Sequence, residues 1–174
     1  MLTIRAATAS DVTLILSFVR ELAEYERAPD AVRATEADFL RDGFGHTPRF
    51  ECIIAEWNGE PAGFALFFYS YSTWDGRAGI YLEDLFVRPA QRGKGIGKAL
   101  FQRLAQRAED EGLTRIGWQV LDWNIPSIEF YESLGATYAS GWLKMKLTGD
   151  AFKAIAAQSN TSFVDRDLIE DKSG

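Results

Sequence analysis

Apolar and polar positions follow two different periods along the first part of the chain. Residues 2–5 have the pattern of a short strand, whereas apolar residues recur every three or four positions over 12–23, which predicts an amphipathic helix. A capping-box pattern at 8–11 marks the start of this helix, and its end is expected near residue 25. A second, shorter helix is predicted for 35–41.

The middle of the chain carries three runs that favour β-structure. Residues 50–56 and 62–71 are rich in residues typical of strands, and Asn58-Gly59 between them is a strong hairpin signal. A third strand is predicted for 80–87, and Pro89 ends it.

Helices and strands alternate again after a glycine-rich turn at 93–97. A long amphipathic helix is predicted over 96–112, then a strand over 115–121, then a short helix over 126–135 that a proline opens and a glycine ends. Residues 137–147 are expected to form the last, hairpin-like strands. The order strand, two helices, three strands, helix, strand, helix, strand predicts an α/β or α+β domain with a mixed sheet.

The length and composition predict one domain with a tail. The 174 residues fit a single domain, and hydrophobic residues, at 47%, are enough for a sizeable core. We expect residues 1–157 to form this domain and the polar residues 158–174 to form a mobile C-terminal tail. No apolar run approaches the roughly 20 residues that span a bilayer, and the first residues lack the pattern of a signal peptide. These features predict no membrane partner.

Metal and disulfide chemistry have few candidate residues in this chain. Cys52 is the only cysteine, which excludes an internal disulfide framework and a cysteine-based metal site. His46 is the only histidine, and one histidine cannot make a metal site. We therefore expect no metal cofactor and a reducing, cytoplasmic location.

The net charge of −6 limits the classes of molecule that the protein is expected to bind. An acidic surface argues against a general nucleic-acid binder, which would need a basic face. It favours cationic small molecules through long-range attraction. The alternative is that the charge only keeps a small domain in solution.

The turn at 91–98 carries the strongest chemical signal. A strand leads into Gln-Arg-Gly-Lys-Gly-Ile-Gly-Lys, and a helix begins there. Glycines let the backbone approach a ligand closely, while the first amides of a helix lack partners and lie at the positive end of its dipole. Such a turn binds phosphate, with help from Arg92 and Lys94, so even an acidic protein can hold a polyanionic cofactor there.

The spacing of these glycines shows which of the common phosphate-binding motifs the turn fits. The dinucleotide fingerprint needs G-x-G-x-x-G and the Walker motif needs G-x-x-x-x-G-K-[ST], and residues 91–97 fit neither. They fit Q/R-x-x-G-x-G/A, and this segment resembles the pyrophosphate-binding turn of the GNAT superfamily of N-acetyltransferases. The alternative is a tight turn that is glycine-rich by coincidence.

Further segments resemble one branch of that superfamily. They are residues 24–26, 42–45, 81–87, 92–97 and 123–131. Through them the chain is similar to the diamine acetyltransferases, which include spermidine/spermine acetyltransferase and its thialysine-acetylating relatives. The resemblance implies the GNAT fold, with a central mixed and mainly antiparallel sheet flanked by helices. It also implies a homodimer.

The same resemblance implies the reaction. Acetyl-CoA would be the co-substrate, and its acetyl group would pass in a ternary complex to a primary amine of a small cationic molecule. That acceptor would be a diamine, a polyamine or a lysine-like amino acid such as thialysine.

The resemblance assigns the residues that would hold acetyl-CoA. Backbone groups of residues 85–87 would bind the pantetheine arm like an added strand, and the glycine turn would bind the pyrophosphate. The full set is Leu85, Phe86, Val87, Arg92, Gly93, Lys94, Gly95, Ile96, Gly97, Lys98, Asn124, Pro126, Ser127 and Tyr131. Asn124 could equally serve only as a helix cap.

Five residues match catalytic and substrate-binding positions of the family. Tyr131 would give a proton to the departing sulfur, and Glu83 would bind the substrate ammonium and pass its proton to water. Asp84 would lie on the opposite face of a regular strand, but the superfamily commonly has a bulge here, which would re-aim the side chains. Tyr25 and Glu26 match a substrate-contacting pair, with an aromatic face and a carboxylate suited to an ammonium group.

Two departures from the family make polyamine specificity doubtful. Family members that take polyamines carry an acidic residue in the loop before the third strand, but here it is missing or displaced to Asp75, and Arg77 adds a positive charge. The region before Trp142 is shorter and lacks an acidic pair. An amino acid with a side-chain amine, or a short diamine, fits at least as well.

Other functions remain open from the sequence. A peptide or protein N-acetyltransferase would need an open groove, which the acidic positions do not exclude. A non-catalytic CoA-binding module would keep the glycine turn but not need Tyr131. A structural dimer would bind no CoA species at all.

Overall fold

The described part of the chain comprises two structural units. The structure is a computed structural model that describes residues 1–139, 141 and 143–158. The first unit is Met1–Gly135, and the second begins at Ala136. The predicted polar tail lies outside the described residues from Ser159 onward.

A five-stranded sheet organises the first unit. Its strands are β1 (Leu2–Ala6), β2 (Glu51–Trp57), β3 (Glu60–Ser72), β4 (Arg77–Val87) and β5 (Ile116–Gly117). They lie in the order β1-β2-β3-β4-β5, with antiparallel pairing except between β4 and β5, which are parallel. The predicted mixed, mainly antiparallel sheet is confirmed.

The first unit also contains four α-helices, and the first three of them bury the two faces of the sheet. They are α1 (Val12–Tyr25), α2 (Glu36–Phe44), α3 (Ile96–Asp110) and α4 (Ile125–Ser133). Because side chains alternate along a strand, Ile53 of β2 joins the cluster under α3, whereas its neighbour Ile54 joins the cluster under α1 and α2. The sheet is therefore held between two apolar layers, and its central strands are fixed.

Local interactions set the ends of the elements as the sequence predicts. The side chain of Asp11 accepts a hydrogen bond from the Thr8 amide at 2.8 Å, which forms the predicted capping box before α1. Arg5 of β1 binds the same carboxylate at 2.7 Å and holds the pKa of Asp11 well below its usual range. Between β2 and β3, Asn58 and Gly59 have positive φ values of 54° and 85°, as a tight hairpin turn requires.

The strand predicted over 115–121 is shorter than expected. Only Ile116 and Gly117 pair with β4, opposite Ile80 and Tyr81. Beyond this point the two segments separate, so residues 118–121 find no strand partner among the residues described.

The secondary structure of the second unit differs from the sequence prediction more than that of the first unit does. The prediction of strands over 137–147 is wrong for the described residues in this range, which form none. Leu143 and Met145, two apolar positions of the expected strand, are exposed, so neither pairing nor burial of the described residues in this range supports a strand. Instead the unit contains a helix, α5 (Gly149–Ala157), that was not predicted. In the described range, no helix is both long enough and apolar enough to span a bilayer.

The core between α1 and the sheet yields a stability prediction. Phe18 is fully buried, and its ring stacks on that of Phe64 at a centroid distance of 5.2 Å. Phe18→Ala should lower the free energy of unfolding by about 3–5 kcal/mol, because it leaves a cavity in a packed core. Tyr71→Ala, at a side chain that is 66% exposed, should change it by less than about 1 kcal/mol. Urea denaturation of both variants measures this, and a Phe18→Ala loss as small as the control would contradict the packing described.

Candidate active site

A cavity opens where β4 and the segment after β5 separate. Its volume is about 510 Å³, and its walls come from β4, the glycine turn, residues 118–121, α4 and the end of α1. On its other side β4 stays paired with β3 as far as Val87. One wall of the cavity is thus a strand edge that is held rigid but has no strand partner there among the residues described.

A bulge in β4 places two carboxylates at this cavity. Leu66 of β3 pairs with Asp84, but the next residue, Phe67, pairs with Leu82, so Glu83 is an extra residue in β4. In a regular strand, neighbouring side chains lie on opposite faces. Here both Glu83 and Asp84 line the cavity, and the expectation of a bulge is confirmed.

Burial and two acidic neighbours raise the proton affinity of Asp84. Burial raises the pKa of Asp84 to about 7, and the negative charges of Glu83 and Glu26 add to this effect. Burial also raises the pKa of Glu26. Their mutual repulsion makes this end of the cavity favourable for a cation.

The glycine turn lies at another part of the cavity and has the opposite electrostatic preference, because it favours an anion. Gly93 and Gly95 have φ values of 77° and 78°, a region that strains residues with a side chain. The first helical hydrogen bond of α3 runs from the Ala99 amide to the Gly95 carbonyl at 3.0 Å, so the amides of residues 96–98 have no acceptor within the helix. These residues line the cavity, and their free amides and the helix dipole favour an anion.

The two basic residues of this turn have different surroundings. Arg92 lines the cavity, donates through Nε to the Val87 carbonyl at 3.0 Å, and lies 4.5 Å from the centroid of the Tyr25 ring. Lys94 does not line the cavity, because its ammonium donates to the Gln91 side chain at 2.6 Å and lies over the ring of Trp57.

Tyr131 lies in an aromatic wall of the cavity. Its ring centroid is 4.8 Å from that of Trp118 and 6.1 Å from that of Phe101. Burial raises the pKa of Tyr131 to about 12, and the charge of Glu26 contributes. The phenol therefore stays protonated throughout the physiological range, and no hydrogen bond occupies its hydroxyl in the described part of the chain.

A hydrogen bond joins α1 to the start of α4 across the cavity. The Tyr25 hydroxyl donates to Oδ1 of Asn124 at 2.9 Å, and the same oxygen accepts from the Ser127 amide at 3.4 Å. Asn124 is buried and caps α4, so its role as a helix cap is confirmed. Tyr25 and Asn124 both line the cavity.

The cavity brings together nearly all of the residues assigned from the sequence. Every proposed catalytic and substrate-binding residue lines it, as does every proposed cofactor-binding residue except Lys94. Sequence reasoning missed the remaining lining residues, which are Leu22, Leu82, Trp118, Gln119, Val120, Leu121, Phe130, Ser133 and Leu134. The strand pattern over 115–121 marked part of this wall, but nothing in it indicated that the segment leaves the sheet.

The displaced acidic residue of the β3–β4 turn is already paired. Asp75 forms an ion pair with Arg115 at 3.2 Å and does not line the cavity. It is therefore a poor partner for a second ammonium group. Within the described ranges, no cluster of three or more His, Cys, Asp or Glu side chains could hold a metal ion.

Comparisons with known proteins show which family and which proteins this chain is similar to. The model of the family described as Acetyltransferase (GNAT) family matches residues 15–136. A thialysine N-epsilon-acetyltransferase of Bos taurus is 42% identical over 166 residues, which cover 89% of this chain and 97% of that protein. The spermidine/spermine N(1)-acetyltransferase-like protein 1 of Homo sapiens is 41% identical over 149 residues, which cover 80% of this chain and 21% of that protein.

A solved structure has the same fold. An integron cassette protein from the mobile metagenome of V. cholerae superposes with a TM-score of 0.75 at 26% sequence identity, covering 89% of this chain and 97% of that one.

The raised pKa of Asp84 yields a prediction about stability. Between about pH 4 and pH 7 the folded protein keeps a proton that the unfolded chain has lost, so this group makes folding less favourable as the pH rises through that window. Asp84→Asn removes the effect. The variant should therefore gain stability relative to wild type from pH 4 to pH 7.5, by up to about 4 kcal/mol. Urea denaturation at a series of pH values measures the difference, and a difference independent of pH would contradict the burial of this carboxylate.

Proposed function

The chain belongs to the GNAT family of acetyltransferases, and we propose that it moves the acetyl group of acetyl-CoA to a primary amine of a small cationic molecule. One observation carries the proposal. A single cavity has an anion-binding helix terminus at one end and a cluster of carboxylates, of which Asp84 and Glu26 are partly buried, at the other, and the phenol of Tyr131 lines it as well.

The glycine turn and the open edge of β4 fit the co-substrate. The amides of residues 96–98 suit its pyrophosphate, with Arg92 beside them. The backbone of residues 85–87 suits the amides of its pantetheine arm, as an added strand would. When bound, acetyl-CoA supplies a thioester whose acetyl carbon accepts the amine.

The carboxylates bind the amine and take its proton. An alkyl ammonium has a pKa of about 10.4, so it must lose a proton before it can attack the thioester. The family resemblance implies that Glu83 performs this step by passing the proton to water. The burial of Asp84 favours a division of roles among the carboxylates. Glu83 and Glu26 attract the ammonium, and Asp84 accepts its proton. With its pKa raised to about 7, Asp84 is a better acceptor than an ordinary aspartate by about 4 kcal/mol.

Tyr131 completes the reaction as the acid. As the carbon–sulfur bond breaks, its hydroxyl gives a proton to the departing sulfur, and solvent restores the proton afterwards. Its hydroxyl makes no hydrogen bond to other described residues, so it is available to the sulfur. A direct attack in a ternary complex needs no covalent enzyme intermediate, and geometry supplies much of the rate by holding amine and thioester together.

The acceptor is a diamine, a polyamine or a lysine-like amino acid. The relative from Bos taurus is named for thialysine and the human relative for spermidine and spermine. The pairing of Asp75 with Arg115 favours acceptors that do not need a second distant carboxylate. We also propose that the protein is cytoplasmic and that it forms a homodimer, and light scattering of the purified protein tests the homodimer.

The first test of this function is CoA release from acetyl-CoA over an amine panel. The panel contains spermidine, spermine, putrescine, thialysine, lysine, ornithine and a basic peptide. Tyr131→Phe should lower kcat on the preferred amine by about 100-fold or more, with little change in acetyl-CoA affinity, because it removes only the acid. Turnover of the peptide alone would overturn the small-molecule acceptor. A Tyr131→Phe rate equal to wild type would overturn the role of the phenol.

The pH dependence of the reaction tests the proton acceptor separately. In wild type, kcat/KM should rise as the pH increases through about 7, because Asp84 must be ionised to accept a proton. Asp84→Asn should lower kcat/KM and abolish that rise, whereas Glu83→Gln should keep it. If Glu83→Gln abolishes the rise and Asp84→Asn keeps it, the assignments of the two carboxylates are reversed and this division is wrong.

A further inference from the structure

Helix α1 ends in a Schellman motif that has an arginine at its left-handed position. The Arg27 amide donates to the Glu24 carbonyl at 3.1 Å, and the Ala28 amide donates to the Ala23 carbonyl at 2.8 Å. These two bonds define the motif, and they hold Arg27 at a φ of 61°. A side chain at such a φ strains the backbone, which is why glycine is the usual residue there.

At the end of α3, glycine occupies the left-handed position that Arg27 occupies at the end of α1. Helix α3 ends in the same motif, with Gly112 donating to the Glu109 carbonyl at 3.0 Å and Leu113 donating to the Ala108 carbonyl at 2.8 Å. Gly112 has a φ of 67°, close to that of Arg27. Strained residues with side chains cluster at functional sites. The arginine at 27 therefore points to a use for its side chain.

The guanidinium of Arg27 lies at the rim of the active-site cavity. It stacks on the ring of Trp123, with 4.4 Å between its central carbon and the ring centroid. Trp123 directly precedes Asn124, and Arg27 directly follows Glu26, and both of these neighbours line the cavity. The ring of Tyr25, another lining residue, is 6.4 Å from that of Trp123.

The guanidinium is free to bind an anion. Arg27 is exposed, and no carboxylate or carbonyl of the described residues accepts a hydrogen bond from its side chain. The guanidinium lies over the face of the Trp123 ring, which restrains its position without occupying its N–H groups. A planar guanidinium held in this way matches the two oxygens of a carboxylate.

The charged side chains are therefore negative inside the cavity and positive at the part of its rim where Arg27 lies. Glu26, Glu83 and Asp84 make the interior acidic, and Arg27 makes this part of the rim basic. A molecule with an ammonium at one end and a carboxylate at the other matches both. The second ammonium of a diamine or polyamine would instead meet a positive charge.

We propose that Arg27 binds the α-carboxylate of an α-amino acid whose side-chain amine is acetylated in the cavity. This inference rests on the proposed function and deepens it, because it selects amino acids over diamines and polyamines. Arg27 then acts as the residue that determines specificity, with Trp123 as its support.

Matched substrates that differ only in the carboxylate test this proposal. The pairs are lysine with cadaverine and ornithine with putrescine. Wild type should have the higher kcat/KM for the amino acid of each pair. Arg27→Gly should lower kcat/KM for the amino acid by about tenfold to a hundredfold, because a hydrogen-bonded charge pair is lost. It should raise kcat/KM for the diamine, because a repelling charge is removed.

Replacing Arg27 with glycine removes the side chain without lowering the stability of the fold, so the variant tests substrate recognition alone. Glycine suits the left-handed position, so the melting temperature of Arg27→Gly should equal or exceed that of wild type. Arg33→Gly removes the same charge from the same loop between α1 and α2, and Arg33 makes no described contact with the cavity. This control should keep the wild-type ratio between the two members of each pair. Arg27→Glu should favour the diamine over the amino acid.

The outcomes separate this inference from the function on which it rests. If wild type acetylates no amine of either pair or of the wider panel, the proposed function fails. If wild type acetylates them but Arg27→Gly keeps the wild-type ratio, only the role of Arg27 is overturned. A rise in the KM for acetyl-CoA without a change in that ratio would also overturn it, because Arg27 would then bind the co-substrate. Product NMR should locate the acetyl group on the side-chain nitrogen, and acetylation of the α-nitrogen would contradict the proposed orientation.

Discussion

The early separation of β4 from β5 is the constraint on which the site depends. The two strands pair at only two positions, while β4 remains paired with β3 along its whole length to Val87. A strand held on one side presents fixed backbone groups on the other, and buried backbone groups need partners. The free edge therefore forms a binding surface with little conformational freedom to lose. The glycine turn follows β4 directly, so the same separation brings the start of α3 to the cavity.

The cavity combines two opposite electrostatic preferences in a protein with a net charge of −6. Oriented amides at the start of α3 attract an anion without adding a side-chain charge. The bulge at Glu83 brings carboxylates to the other end, where Asp84 is partly buried beside the negative charges of Glu83 and Glu26. A polyanionic co-substrate and a cationic acceptor can thus occupy one space without competing for the same groups. Tyr131 and Trp118 supply an aromatic wall of the same cavity.

The sequence predicted what depends on local patterns and missed what depends on strand partners. The periodic helices α1 and α3, the Asn58-Gly59 turn and the glycine turn followed from short-range chemistry, and the structure has all of them. The predicted strand over 115–121 has the composition of a strand, but pairing requires a neighbour, and the neighbour diverges. The expectation of a bulge in this strand came from the family resemblance, and only the pairing register shows that Glu83 is the extra residue, since no spacing of residues in one strand reveals an unpaired residue.

The role suggested for Arg27 shows the same limit. The sequence contains an ordinary charged residue after a helix, and neither its left-handed backbone nor its contact with Trp123 can be read from residues nearby in the chain. The left-handed backbone belongs to the way α1 ends, whereas the contact depends on the way α1 meets the segment before α4, nearly 100 positions away. Residues 158–174 lie largely outside the described structure, and their role as a tail stays a prediction.

The central claim is that acetyl-CoA binds along the free edge of β4 and against the start of α3. Amide hydrogen exchange, measured with and without acetyl-CoA, tests it directly. The account predicts slower exchange at residues 85–87 and 95–98 when acetyl-CoA is present, with no comparable change in β1 or α2. Unchanged exchange at both segments under saturating acetyl-CoA, or protection confined to another part of the chain, would contradict it.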